Sequence, residues 1–261
     1  MKKYAAYIFL PVLSLVAGAC AQQDLSYRMA ELERFRTPSD TLADPLCASM
    51  NFRYPVFSSP DTAAAGRANR GVAQALFGPR GEADALCADF FGRWESYRAQ
   101  YEQDDDPAQD DDEPVLLPWH YAATLEVQGR CRGLLSLVYT VSTDAYLPAD
   151  ERGFSRKYFV LEEKSGRFLS AGDVFSDTTA VRRLITAVFL RTSNVSPEMS
   201  LQEQGIVVPP DGLLPLTDDF ALDEQGDAVF RYDMQAIAPT VFSEDELQVP
   251  GAWLETLFKN R

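Results

Sequence analysis

The sequence predicts an α+β fold, a mostly antiparallel sheet with packed helices, arranged as two intimately associated subdomains. Three observations lead to this prediction. The strand segments come in hairpins instead of alternating strictly with helices, one later segment has a regular amphipathic helical period, and 46% of the 261 residues are hydrophobic. A chain of this size and composition can bury one large core or two smaller ones.

The first half of the sequence contains residue patterns typical of strands and helices, and Gly and Pro residues mark where these elements end. Alternating apolar residues predict strands, and Asp61 is placed to cap the helix that Gly78-Pro79 ends. The expected elements are a strand at 50–57 with Pro55 at an edge or strand end, a helix from Asp61 to Gly78, a longer helix from Glu82, and a hairpin of strands 119–128 and 132–143.

The longer helix carries an apolar stripe at spacings of three and four residues, formed by Leu86, Phe90, Trp94, Tyr97 and Tyr101. Such an aromatic stripe could line a sugar-binding groove. Because helical spacing alone explains it, packing in the core is the favoured interpretation.

The second half contains the most regular amphipathic helix, with apolar residues at i, i+3, i+4, i+7 and i+8 from Val181. A hairpin with a Gly-bearing turn follows, and Pro250 suits the first turn of a closing helix. The expected elements are a strand at 156–163, a helix at 178–191, a hairpin at 220–233 and a helix at 249–259.

The N-terminus has the features of an export signal. Lys2 and Lys3 precede a short apolar run, and the run ends in "VAGAC", which resembles a bacterial lipobox. We therefore expect residues 1–19 to be a lipoprotein signal peptide and Cys20 to be the lipidated first residue of the mature chain. The alternative is an ordinary cleaved signal with an incidental cysteine.

The residue after Cys20 is Ala21 and not Asp, which by resemblance favours anchoring in the outer membrane of a Gram-negative cell. Residues 20–45 are polar and mixed, and they are interpreted as a tether with a short helix around 27–35. The expected subdomains are then 46–145 and 146–261.

Three more cysteines follow Cys20: Cys47, Cys87 and Cys131. In an oxidising compartment we expect one disulfide and one remaining thiol among them, and the sequence leaves all three pairings open. If Cys20 were not lipidated, two disulfides could form.

The formal net charge of −15 disfavours nucleic acid and anionic lipid surfaces as partners and is compatible with a basic partner. Residues 104–113, "DDDPAQDDDE", concentrate much of this charge. They lack the glycine and the ligand spacing of an EF-hand, so a solvated acidic loop is expected, with calcium binding as the weaker alternative.

The sequence offers little for catalysis, and no metal or cofactor is expected. His120 is the single histidine, whereas the usual zinc hydrolases need more than one. Neither a Gly-x-Ser-x-Gly elbow nor a phosphate-binding Gly-rich loop is present. His120 is interpreted as a solvent-facing strand residue. A carboxylate pair, as in glycosidases, stays open because 39 acidic residues are present.

Several segments resemble the RsiV-like domain family. Gly166–Phe175, "GRFLSAGDVF", is similar to the family's turn before a helix, and Phe220–Tyr232, Ile237-Ala238-Pro239 and Leu247–Pro250 are similar to its ending, with Leu254 and Leu257 in the terminal helix. Asn69, together with "MNFRYPVF" and "GLLSLVYTVST", resembles the domain that usually precedes it. The resemblance covers residues 46–258 and makes 146–261 the RsiV-like subdomain.

The family occurs in the extracellular part of anti-sigma-V factors, beside some peptidoglycan deacetylase domains and in lipoproteins. One departure is the region "DAYLPADERGFSRKY", which lacks the His of a Gly-Ala-His-type turn found in relatives. From the residues themselves, Ile237-Ala238-Pro239 is interpreted as a chain reversal at a structural seam.

The expected function is that of a non-catalytic lipoprotein of the cell envelope. The resemblance implies a binding module for a lysozyme-like protein or for a peptidoglycan-derived ligand. The alternatives are an envelope carbohydrate hydrolase or deacetylase that uses carboxylates, and a structural lipoprotein of a membrane complex.

Overall fold

The computed structural model describes residues 25–37, 47–103, 118–143, 153–196, 198–239 and 245–260. The expected signal peptide, the lipidation site Cys20 and the acidic loop 104–113 lie outside these ranges.

A six-stranded sheet in sequence order forms the larger part of the fold. Its strands are β1 (Ser26–Arg36), β2 (Ala48–Ser58), β3 (Trp119–Cys131), β4 (Leu134–Thr143), β5 (Gly153–Glu162) and β6 (Arg167–Leu169). Only β2 and β3 pair in parallel within this sheet. Parallel neighbours need a crossover, and helices α1 (Thr62–Phe77) and α2 (Ala83–Gln103) supply it.

A three-stranded antiparallel sheet forms the smaller part, with strands β7 (Phe220–Leu222), β8 (Ala228–Arg231) and β9 (Glu246–Val249). The associated helices are α3 (Ala171–Val174), α4 (Thr178–Thr192), α5 (Met234–Ile237) and α6 (Gly251–Leu254), which continues into a 3₁₀ turn at Glu255–Leu257. The predicted α+β class with a mostly antiparallel sheet is confirmed.

Strand β1 corrects the interpretation of residues 20–45. Ser26–Arg36 is neither part of a tether nor helical, because it pairs with β2 along its whole length. Leu32 lies opposite the buried Phe52, and the Arg53 and Glu31 side chains meet across the pair at 3.8 Å. These cross-strand contacts outweigh the helix propensity of the Ala, Glu, Leu and Arg residues in this segment.

Two apolar cores lie on opposite faces of the larger sheet. Adjacent strand residues point to opposite faces. Leu135 and Leu161 belong to the first core, which lies beneath α1 and α2. Leu134 and Val160 belong to the second core, which the sheet shares with α4 and the smaller sheet. The Leu222 amide donates to Ser136 Oγ at 2.7 Å and ties the two sheets together. Because β5 and β6 continue the sheet, the expected boundary at 145/146 does not separate two sheets.

The first helices follow the sequence signals closely. The Asp61 carboxylate caps α1 by accepting from the Ala63 and Ala64 amides. In α2, Phe90 and Trp94 are buried, which confirms the packing interpretation for this part of the stripe. Tyr97 is 38% exposed and its ring lies 5.4 Å from that of Trp119, so the stripe reaches the surface towards the end of the helix.

Asn69 joins α1 to β2. Its side chain accepts from the Phe57 amide at 2.7 Å and donates to the Phe57 carbonyl at 2.9 Å. The Ile237-Ala238-Pro239 segment likewise has a structural role, because Ala238 is buried in the second core and the Ile237 carbonyl accepts from the Val207 amide at 2.7 Å. The seam interpretation of this segment is confirmed.

Candidate functional site

The single histidine contacts a serine on the neighbouring strand. The parallel register of β2 and β3 places Ser49 beside His120, with Ser49 Oγ 2.7 Å from His120 Nδ1. His120 is half-buried, so the residue that the sequence analysis interpreted as solvent-facing is only partly exposed. Because Ser49 is only 4% exposed, its hydroxyl is poorly placed to attack a substrate, and the pair acts as a cross-strand contact.

No disulfide joins any two of Cys47, Cys87 and Cys131, so the expectation of one disulfide among them is wrong. All three are buried, and Cys87 and Cys131 belong to the separate cores on opposite faces of the sheet. Burial raises the pKa of the Cys87 and Cys131 thiols. Both thiols are therefore held in the protonated, weakly nucleophilic form.

A concavity of about 640 Å³ among the described residues is lined mainly by basic side chains. We call it the basic pocket and define it by the residues that line it: Arg67, Arg132, Gly133, Glu162, Lys164, Ser165, Lys259 and Asn260. Four of these carry positive charge and one carries negative charge, in a chain whose formal net charge is −15. Its volume is in the range of small-molecule sites.

The turn between β5 and β6 forms one wall and is fixed against α1. Gly166 has φ +67°, and a Cβ atom there would lie 1.9 Å from the Ala64 carbonyl oxygen, so only glycine allows this approach. The contact brings the Ser165 carbonyl to Arg67, whose Nε donates to it at 2.6 Å. Ser165 Oγ donates to Glu162 Oε2 at 2.5 Å, which engages the one carboxylate in the lining.

The turn between β3 and β4 forms a second wall. Arg132 adopts φ 53°, an unusual conformation for a residue with a Cβ atom. Its guanidinium lies 4.8 Å from the centre of the Phe258 ring and 3.7 Å from Glu255. The Glu163 amide donates to the Gly133 carbonyl at 2.9 Å and fixes this turn against the first wall.

The C-terminal segment completes the basic pocket. The Lys259 amide donates to the Val174 carbonyl at 2.9 Å, and Lys259 Nζ donates to the Gly172 carbonyl. The pocket is therefore assembled from turns that backbone hydrogen bonds hold in place, with ammonium and guanidinium groups as its main donors. Such an arrangement can bind carboxylate or phosphate groups through charge-assisted hydrogen bonds.

Sequence reasoning did not identify the basic pocket. Its cations come from four separate places along the chain, and their proximity depends on the sheet register and on the packing of α1. The one local signal was a basic residue beside glycine in the turns "RCRG" and "KSGR".

The described residues contain neither a cluster of metal-ligating side chains nor a membrane-spanning helix. Among the residues that the structure describes, which leave gaps at 38–46, 104–117, 144–152, 197 and 240–244, no group of three or more His, Cys, Asp or Glu side chains could hold a metal ion. No helix in the described ranges combines the length and apolar character needed to cross a bilayer.

Comparisons with known proteins give similarity at the level of the fold. No protein-family model matches the chain, and no curated protein matches it. A DUF3298 family protein from Bacteroides fragilis aligns with TM-score 0.57 and 20% identity over 92% of this chain and 95% of its own. A DUF3298 family protein from Pseudomonas aeruginosa aligns with TM-score 0.50 and 16% identity over 90% and 95%. The chain thus has the fold seen in DUF3298 proteins.

Proposed function

We propose that the chain is a non-catalytic, exported and lipid-anchored domain of the cell envelope that binds an anionic ligand in the basic pocket. The observation that carries this proposal is the convergence of Arg67, Arg132, Lys164 and Lys259 in an otherwise acidic protein. The N-terminal export pattern and the resemblance to RsiV-like domains support the location. Anchoring through Cys20 in the outer membrane is part of the proposal.

Peptidoglycan-derived fragments are the ligand class that we favour. Their lactyl and stem-peptide carboxylates match ammonium and guanidinium donors, and an open concavity of about 640 Å³ has room for the carboxylate-bearing part of such a fragment. The carboxylate-based hydrolase is less favoured for this site, because the lining carboxylate of Glu162 is engaged by Ser165 and stands among cations.

Removing two pocket charges should weaken binding of a muropeptide. Lys164 is exposed and the Arg132 side chain is 49% exposed, so the double variant Lys164→Gln, Arg132→Gln should keep the fold. Losing two charge-assisted hydrogen bonds should lower affinity by about tenfold or more, measured by titration calorimetry at low salt.

Two controls make this test specific. Arg80→Gln removes an exposed positive charge outside the basic pocket and should leave affinity unchanged. The same muropeptide with its carboxylates amidated should bind weakly to the unaltered protein. Equal binding of the amidated and free forms would contradict the proposal, as would turnover of the muropeptide by the purified protein.

The acidity of the chain supports a basic protein such as lysozyme as a second candidate partner, at a surface outside the basic pocket. The net charge of −15 would attract it at long range, and salt would screen this attraction. Immobilised protein should then retain lysozyme at low salt and release it at about 1 M salt, where the Debye length falls to about 3 Å. Failure to retain lysozyme at low salt, or equal retention of cytochrome c, argues against this partner.

A further inference from the structure

A second concavity, of about 420 Å³, lies between α4 and β9. We call it the α4–β9 groove. It has apolar side chains together with polar groups of both charges, and its lining residues are Val188, Arg191, Thr192, Asp227, Val229, Glu246, Leu247, Gln248 and Pro250. None of these residues belongs to the basic pocket.

An exposed tryptophan lies next to this groove. Trp253 is 45% exposed, and its amide donates to the carbonyl of the lining residue Pro250 at 3.0 Å. The guanidinium carbon of Arg191, another lining residue, is 5.8 Å from the centre of the indole ring. With this guanidinium over the ring, the part of the indole that stays exposed offers an apolar surface to a ligand, and tryptophan is frequent among residues that dominate binding.

The carboxylates of the groove are oriented by hydrogen bonds. Asp227 Oδ1 accepts from the Gly251 amide at 2.6 Å. Glu246 Oε1 accepts from the Tyr158 hydroxyl at 2.9 Å and from Arg156 Nη1 at 3.2 Å. A carboxylate has about four lone-pair sites, so each retains acceptor capacity for a further donor. These bonds also hold the two groups in fixed positions, which lowers the cost of ordering them when a ligand binds.

These observations together describe the chemistry of a sugar site. A pyranose ring has an apolar face of C–H groups, which suits an indole, and an edge of hydroxyls that donate and accept hydrogen bonds. The groove offers carboxylate acceptors, the Gln248 amide and the Arg191 guanidinium for that edge. Because Glu246 is already paired with Arg156, and Asp227 and Arg191 have opposite charges, a neutral ligand fits better than an ion.

We propose that the α4–β9 groove binds a neutral oligosaccharide, with Trp253 stacking on one ring and Gln248 and Arg191 binding its hydroxyls. This inference rests on residues outside the basic pocket. The two binding proposals are therefore independent, and an experiment that contradicts one leaves the other unaffected.

Tryptophan fluorescence can test this proposal directly. Trp94 and Trp119 are each 3% exposed, and Trp253 is the third and last tryptophan of the chain. A ligand that covers the Trp253 ring should therefore shift the solvent-sensitive part of the emission to the blue. We expect chitotetraose or cellotetraose to produce a saturable shift, and Trp253→Phe to abolish this optical signal.

Calorimetry on matched variants then locates the site. Trp253→Ala and Gln248→Ala, both at exposed positions, should each lower affinity for the responding tetrasaccharide by about tenfold. Lys164→Gln, in the basic pocket, should leave that affinity unchanged. The proposal is overturned if neither tetrasaccharide shifts the emission, or if Trp253→Ala binds as tightly as the unaltered protein.

Discussion

Replacing Gly166 by alanine should destabilise the protein by about 3 kcal/mol or more. The new Cβ atom would lie 1.9 Å from the Ala64 carbonyl oxygen, and the backbone has φ +67°. Because the atom in the way belongs to the backbone of α1, the turn or the helix must move. Urea unfolding followed by circular dichroism measures the change in the free energy of unfolding.

Gly212 is the matched control for this substitution. It has φ +71°, and a Cβ atom there meets nothing within 4 Å, so Gly212→Ala carries only the cost of the left-handed conformation, about 1 kcal/mol. Equal losses in the two variants would mean that the contact between the turn and α1 is unimportant. Because the same turn presents Ser165 to Arg67, Gly166→Ala should also weaken anion binding where the variant remains folded.

Replacing Phe175 by alanine should cost about 3–5 kcal/mol of stability. The ring is fully buried in the second core, with its centre 5.8 Å from that of Phe220, 6.1 Å from that of Phe230 and 5.2 Å from that of Phe258. Truncation leaves a cavity between the smaller sheet and the C-terminal segment, which cannot collapse without moving these rings. Thermal and urea unfolding both report the loss.

Phe154 is the exposed phenylalanine that serves as the control for the Phe175 substitution. Its ring is 64% exposed at the beginning of β5, where it lies near the Arg156 guanidinium. Phe154→Ala should change stability by no more than about 0.5 kcal/mol, as is usual for surface positions. A comparable loss in the two phenylalanine variants would contradict the assignment of Phe175 to the core.

Elements whose signals are local could be predicted from the sequence. Asp61 and Gly78 delimit α1, and the period of α4 places Val181, Ile185 and Phe189 in the core. Strand β1 could not be predicted in this way, because its residues favour a helix and only the pairing with β2 makes a strand of them. The parallel register that places Ser49 beside His120 could not be predicted either, because it depends on the crossover through α1 and α2.

The candidate sites depend on the same non-local information. Arg132 and Lys164 stand in turns that were predicted, but only the packing of the β5–β6 turn on α1 makes them neighbours of Arg67. Trp253 was expected in a closing helix, which the structure shortens to α6 and a 3₁₀ turn, and its exposure beside the α4–β9 groove depends on how that helix docks. The numbers of charged and aromatic residues can be counted in the sequence. Which of them lie close together in the folded chain cannot.

The position of β1 also limits how far the domain can stand from a membrane. Leu25 is fully buried, so the chain is already packed against the core at the residue before β1. If Cys20 carries the lipid, as proposed, the link to Leu25 spans at most about 18 Å even when fully extended. The β1 edge of the larger sheet would then be held within that distance of the headgroups, so a ligand could reach this edge of the domain only at the bilayer surface.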